Sequence, residues 1–451
     1  MIRLFSIQSS ERLQYIAKII FETLLGVEYE IVKTDESFDE AIIHKSGIPA
    51  LLYGIPSDIL PCIPDDGLLF ENDIVSKEFF IKEGEITKVC LSDNRHQGYT
   101  IDFDIFSAAF YLITQYQEYN SLDIDEHGRY IESGNILYKN GLHKRPLVDI
   151  YSEFIWQKLK SKYPTLVRKE QKFDFKITFD IDSPYLFKNK SVLVTAGSLL
   201  KNSLKFNFNN VFQQIKVLIG GNDPYDVFDE IIKATEISKL LFFFLIDRHH
   251  KHDSRFSFNN KAYRRLIKRI ADAGIEIGIH PSYTSFKKSD QIRFEKKQLE
   301  LIAGKQVLNS RMHFLKYALP ETFEHLVNAG MENDYTLCPL NSTGFKNFIS
   351  RPFYWFNLRT NAISSLIIHP TMVMDRALQK YMKLSPDEAW IQIKNTIDIT
   401  NEYNGSFSIL FHNSTLSETG EWKRWKTVYE KTIQYLTALS VNINSSQMSQ
   451  F

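Results

Sequence analysis

The stretch KITFDIDSP, residues 176–184, begins as an apolar strand and ends in two aspartates two positions apart. Side chains at i and i+2 share one face of a strand, so Asp180 and Asp182 project together. Carboxylates this close repel each other, and away from bulk water one of them stays protonated unless a cation neutralises the pair. A bound metal answers that problem, with one Asp as ligand and the other as base toward an activated water. The competing reading makes the pair a turn cap ahead of Ser183 and Pro184, a common use of Asp.

Working outward, seven apolar, β-branched or aromatic runs follow from residue 175: FKITFDID, KLLFFFLID, IEIGIH, QVLNSRMH, DYTLC, SLIIHP and FSILFH. Helical patterns lie between several of them. Residues 226–238 and 259–273 are amphipathic, the second ending at Gly274, a residue suited to the positive φ of a C-cap. Pro320 can open a helix that Gly330 stops. Ser385, Pro386 and Glu388 form a capping box for a helix to about residue 400, and a last helix spans about 419–440.

Strand and helix in alternation imply a parallel sheet, doubly wound or closed as a barrel. Nearly every run ends in a residue able to do chemistry: Asp180 and Asp182, Asp247, His280, Arg311 and His313, His369, His412. A site built from many strand ends suits a (β/α) barrel, whereas a doubly wound sheet gathers its groups at one crevice. A barrel over 169–445 is therefore expected, although the crossover at 339–364 shows no helix. A smaller α/β domain of unknown role is expected over 1–168. Its elements are a strand MIRLFSI, a helix from Glu11 to Leu25, strands YEIVKT and GIPALLYG, and a helix marked by Ile105, Ala109, Leu112 and Tyr116.

The 451 residues carry 54 basic and 54 acidic side chains. Zero net charge gives no reason to expect nucleic acid or an anionic membrane as main partner, leaving room only for a locally basic surface. Cys62, Cys90 and Cys338 are too far apart for a structural zinc site and read as reduced thiols. The longest apolar run, LLFFFLI at 240–246, is too short to span a bilayer. With no export pattern at the start of the chain, a cytoplasmic protein is expected. DIDEHG at 123–128 resembles a calcium loop but lacks its other oxygen positions and closing Glu.

His280 ends the IEIGI run, and imidazole is a frequent ligand of zinc-type metals. His412, in ILFHN, is placed to act as general acid. Arg311 would orient a carboxylate, stabilise an oxyanion or form an internal salt bridge. His249, His250 and His252 crowd together in LIDRHHKHDSR, but adjacent side chains diverge, and the basic neighbours favour a substrate-facing loop over a metal site. RPFYWFNL at 351–358 concentrates aromatic rings, most of them for packing and no more than one or two for a ligand.

Residues 175–440 resemble the polysaccharide deacetylases, metal-dependent carbohydrate esterases built on a distorted seven-stranded (β/α) barrel. TFDID at 178–182 is similar to their Thr-Phe-Asp-Asp motif, GIHPSYTS to their histidine motif, SRMHFLKYALP to their arginine motif and LFH to their late Leu-x-His motif. FYLITQYQEY, DEHGRY and VMD at 373–375 extend the likeness to a divergent branch. The resemblance implies Asp180 as catalytic base, Asp182 and His280 as ligands of a divalent metal, most simply zinc, Arg311 in the site, and His412 as acid. It implies an amide hydrolase that removes acetyl from an N-acetylated sugar or glycan intermediate. The family's second histidine falls at Thr284, a poor zinc ligand. His313 is then the expected third ligand, with His369 and, through water, Ser285 as alternatives. The rival reading is a catalytically impaired barrel that binds carbohydrate or serves as a scaffold.

Overall fold

The computed structural model describes residues 1–448 apart from 36, 37, 94, 95 and 207, with side chains as far as 441. Two compact units emerge. The first comprises Met1–Asp174, Gly344–Pro370 and Ile399–Phe407; the second comprises Phe175–Thr343, Thr371–Asp398 and Ser408–Phe451. The junction at Asp174 lies near the expected cut between 168 and 169, but two later segments also belong to the first unit.

In the first unit, β1 (Ile2–Ser6), β2 (Tyr29–Lys33), β3 (Ala50–Tyr53) and β4 (Cys62–Ile63) form a parallel sheet in the order β2-β1-β3-β4. The Ser10 side chain accepts from Leu13 N and starts the helix Glu11–Ala17, which runs on as a π-helix to Leu24. β5 (Phe80–Lys82) and β6 (Lys88–Cys90) make a small antiparallel hairpin. The helix Ile105–Ile113 is apolar on all sides and buried at every position, as a central helix must be. Asp125 accepts from the backbone of His127 and Arg129 and pairs with the Arg129 guanidinium at 2.7 Å. Its carboxylate is thus spent on closing the turn that looked like a calcium loop. Cys62, Cys90 and Cys338 are buried.

In the second unit, β7 (Asp174–Ile181), β8 (Leu240–Phe244), β9 (Glu276–Ile279), β10 (Asn309–Ser310) and β11 (Asn333–Asp334) pair in succession, all parallel. SLIIHP departs from expectation. It falls in β13 (Ala362–Ile368), the antiparallel partner of β12 (Phe353–Asn357), and this hairpin belongs to the first unit. Its dense β-branched and aromatic residues do form a strand, and the short turn at 358–361 makes that strand half of a hairpin. The parallel partner of β15 (Ser406–His412) is instead β14 (Val373–Met374), too short to show a period. The unit's strand order is β11-β10-β9-β8-β7-β15-β14. No ladder among the described residues joins β11 to β14. Their neighbouring segments meet at Thr371, whose N–H donates to Leu337 O at 2.9 Å and whose hydroxyl donates to Tyr335 O at 3.2 Å.

The helices follow their signals. Asn260 caps Lys261–Asp272, which ends before Gly274 at φ +80°. Glu321–Asn328 stops short of Gly330, and the Ser385–Glu388 box opens Pro386–Glu402. Residues 226–238 give a shorter helix, Phe228–Ala234, and the last helix runs Lys426–Met448.

One carboxyl of the first unit reports on its burial. Asp104 accepts from Tyr53 Oη (3.0 Å), Asp66 N (2.8 Å) and Ser107 N (2.9 Å), and burial pushes it up to about 7. The folded chain therefore holds a proton that an unfolded Asp, at about 3.9, has lost. That contribution is fully present below the unfolded value and is lost as pH rises through about 7. Urea unfolding at pH 5 and pH 8 is expected to show a steeper pH loss in the wild type than in Asp104→Asn, the difference being on the order of 1–4 kcal/mol.

Candidate metal centre

β7 carries the site. Thr178 and Asp180 are buried on one face of the strand, and Asp182 follows one residue past its end. Tyr263 Oη donates to Ile181 O (3.2 Å) and Leu245 O (3.1 Å), and Asn413 Nδ2 donates to Ser183 O (3.0 Å). These bonds fix the turn that presents Asp182. His280 follows β9 directly, its N–H bonded to Phe244 O at 3.1 Å. His313 stands two residues after Arg311, just ahead of Phe314 and Leu315, which both take left-handed backbone (φ +62° and +51°). Such strain is tolerated where the surroundings dictate it, commonly at functional sites. His412 ends β15.

Four of the predicted residues converge here. Asp182 Oδ1 lies 3.3 Å from His280 Nε2 and 3.7 Å from His313 Nε2, and Asp182 Oδ2 lies 3.7 Å from His412 Nε2. Ligand atoms of Asp182, His280 and His313 all fall within 4.8 Å of one another. Each imidazole is held from behind: His280 Nδ1 by Arg311 O at 2.6 Å, His313 Nδ1 by Asp253 Oδ1 at 3.3 Å, His412 Nδ1 by Asp375 Oδ1 at 2.9 Å. A carbonyl or carboxylate only accepts, so each Nδ1 carries the proton and each Nε2 lone pair is turned toward Asp182.

That arrangement is unfavourable without a positive charge at its centre. Asp182 Oδ1 is buried and makes no hydrogen bond, and a second carboxylate oxygen, Asp180 Oδ2, stands 3.6 Å from His280 Nε2. Burial alone would push His280 down, yet Asp180 and Asp182 carry it above the usual imidazole value. Burial would raise Asp182, yet His280, His313 and His412 hold it far below the usual carboxylate range. The cavity thus favours a cation, and a bound metal would displace the extra proton. The donor set, one carboxylate and two neutral imidazoles with their other nitrogens hydrogen-bonded, fits zinc-type metals.

Arg311 has no exposed surface. Nε donates to Tyr335 O (3.0 Å), Nη1 to Thr178 Oγ1 (2.8 Å) and Asp180 Oδ1 (3.0 Å), and Nη2 to Thr371 Oγ1 (2.9 Å). Its guanidinium carbon sits 4.6 Å over the Phe243 ring. That ring can lie there because position 278 is glycine: a Cβ would come within 2.5 Å of it.

Other expected residues fall elsewhere. His369 belongs to the first unit. Ser285 is buried against Ser282 (2.7 Å) and Glu295 (3.0 Å), so its hydroxyl serves Glu295. His250 stacks on Tyr283, and His249 approaches Asp247, Gln291 and Glu295, a second group of ligand-type side chains. Two orienting carboxylates escaped sequence reading. Asp375 also accepts from His412 N (2.6 Å) and from the Thr415 hydroxyl; VMD marked it by resemblance without revealing its partner. Asp253 also accepts from Tyr283, His249 and His250 backbone N–H groups and lay unmarked inside a loop rich in polar residues.

A family model described as a family of unknown function, DUF7033, matches residues 2–164. No curated protein matches the chain. Among solved structures, a Mycobacterium smegmatis protein provisionally called a polysaccharide deacetylase is 15% identical with a TM-score of 0.37, over 60% of this chain and 86% of that one. An allantoinase is 10% identical with a TM-score of 0.37, over 59% and 85%. A CE4 family pseudoenzyme from Bacillus anthracis is 14% identical with a TM-score of 0.27, over 58% and 62%. Likeness at this level says nothing of the chemistry of this chain, for which its own residues are the evidence.

Removing one partner of a buried pair leaves an uncompensated charge. Arg311→Met is expected to lower unfolding free energy by about 3–5 kcal/mol, measured by urea denaturation. The double variant Arg311→Met/Asp180→Asn is expected to regain part of that loss.

Proposed function

We propose that the chain is a metal-dependent hydrolase of the deacetylase type that removes acetyl from an N-acetylated sugar or glycan intermediate. The observation that supports it best is the convergence of Asp182 Oδ1, His280 Nε2 and His313 Nε2 around a buried carboxylate oxygen with no hydrogen bond. His313 supplies the imidazole that Thr284 does not.

A divalent cation held by Asp182, His280 and His313 would polarise a carbonyl oxygen and lower the pKa of a bound water. The residues divide the remaining work. Asp180 has Oδ1 tied to Arg311, which fixes the carboxylate plane and leaves Oδ2 on the side of His280, where it can take a proton from water. Arg311 has its donors committed to four acceptors and acts as a positioning residue. His412 keeps its Nδ1 proton on Asp375 and turns Nε2 to the site, and Asp375 carries it above the usual imidazole value against the effect of burial. It can deliver a proton at Nε2 to a departing amine. The oxygen-rich, hydrogen-bonding character of a sugar substrate is carried by the resemblance in the four motifs.

Purified protein, stripped and reconstituted, is expected to bind one equivalent of zinc, cobalt, nickel or manganese, measured by elemental analysis. Asp182→Ala and His280→Ala should abolish binding, while Asp180→Asn should retain the metal and stop acetate release from N-acetylated oligosaccharides. Absence of stoichiometric metal in the folded wild type rejects the hydrolase reading and leaves the carbohydrate-binding one. Asp253→Asn, whose carboxylate holds His313 Nδ1 and would act on a bound metal only through that ring, is expected to weaken metal affinity about 10–100-fold. Asp375→Asn should lower turnover at unchanged metal affinity.

A further inference from the structure

Between β7 and β8 the second unit carries two helices, Val192–Leu204 and Phe208–Leu218. They pack on one another through Gln214, a buried side chain whose Nε2 donates to Thr195 O and whose Oε1 accepts from Ser198 Oγ, both at 3.2 Å. The ends of the insertion are fastened together. Asp223 accepts from the N–H groups of Leu186, Phe187 and Lys188, each at 2.8 Å, four to six residues beyond Asp182.

The outward faces run against the usual rule for surface helices. Val192, Ala196, Leu200 and Leu204 fall at i, i+4, i+8 and i+12 of the first helix, and Phe208, Phe212 and Ile215 follow the same kind of stripe on the second. Leu200 is 63% exposed, Leu204 70%, Phe208 64% and Phe212 72%. Of the 27 large hydrophobic side chains exposed among the described residues, ten lie within 192–219. A contiguous apolar patch of this kind marks an interaction surface.

Charge identifies the occupant. Residues 183–222 contain five lysines, Lys188, Lys190, Lys201, Lys205 and Lys216, and no arginine, aspartate or glutamate. Lys201 and Lys205 border the apolar stripe of the first helix, Lys216 that of the second, and all three are exposed. A second copy of the same surface would set lysine against lysine. Apolar side chains rimmed by lysines are what an interfacial helix offers to anionic lipid, which draws in the basic rim while the apolar face enters the headgroup boundary. No helix among the described residues is long and apolar enough to cross a membrane, so the contact is peripheral.

We infer that the helical pair 192–218 docks this protein on the surface of an anionic lipid bilayer. The inference stands apart from the chemistry of the metal centre and holds with or without turnover.

The test is co-flotation of the full chain with vesicles of phosphatidylcholine containing 30% phosphatidylglycerol, against phosphatidylcholine alone. Binding is expected only to the anionic vesicles and is expected to weaken as salt is raised. Leu200→Glu/Phe212→Glu should abolish it, and each of Lys201→Glu, Lys205→Glu and Lys216→Glu should weaken it about fivefold or more. All five positions are solvent-exposed, and circular dichroism of each variant confirms that the fold is kept. Phe206→Trp should shift its emission to the blue on anionic vesicles. Failure of the folded wild type to float with anionic vesicles overturns the inference. So does equal binding by Leu200→Glu/Phe212→Glu, or a dimer in light scattering that this variant splits while vesicle binding is absent.

Discussion

A single guanidinium with no solvent contact organises the second unit. Arg311 leaves β10 and reaches the middle of the strand order at Thr178 and Asp180 on β7. It also reaches one flank at Tyr335, just past β11, and the other at Thr371, just before β14. A buried cation is tolerated only when its donors are satisfied, and here four acceptors and an aromatic face supply that compensation. The same bonds bring together the ends of a seven-strand run that no ladder closes among the described residues. Phe243 takes its place under the guanidinium only because Gly278 lacks a side chain.

The candidate centre follows from this frame. With Asp180 held by Arg311, Asp182 is the carboxylate left facing three imidazoles, and the backbone carbonyl of Arg311 itself fixes His280. Asp253 and Asp375 do for His313 and His412 what that carbonyl does for His280. Three hydrogen-bonded Nδ1 groups turn three Nε2 lone pairs onto one carboxylate, an assembly that favours positive charge at its centre, where a divalent cation would displace the extra proton. Asp180 and Asp182, two positions apart in the sequence, thereby acquire different environments.

Much of this was legible in the sequence, for reasons that differ by residue. Asp180, Asp182, His280, Arg311 and His412 sit at or just beyond strands long or apolar enough to be recognised, so their common end of the sheet could be read from order alone. His313 was reached through a missing partner, Thr284. The rest depended on contacts distant in sequence, which no local pattern records. Asp375 is 37 residues from His412 and Asp253 is 60 from His313. β14 has two residues, too few for a period, so its pairing with β15 was not legible, and the apolar SLIIHP, half of an antiparallel hairpin, drew His369 into the candidate list. The paired helices at 192–218 were missed because their apolar residues are not buried, and burial is what hydrophobic periodicity ordinarily reports.

The claim at the centre of this account is that His313, two residues past Arg311, completes a metal site with Asp182 and His280. X-ray absorption spectroscopy of the protein reconstituted with one equivalent of zinc tests it most directly, comparing wild type with His313→Ala. The account predicts a first shell of nitrogen and oxygen with the scattering signature of two imidazoles, reduced to one in the variant. A wild-type shell without imidazole, or one that His313→Ala leaves unchanged, would contradict it.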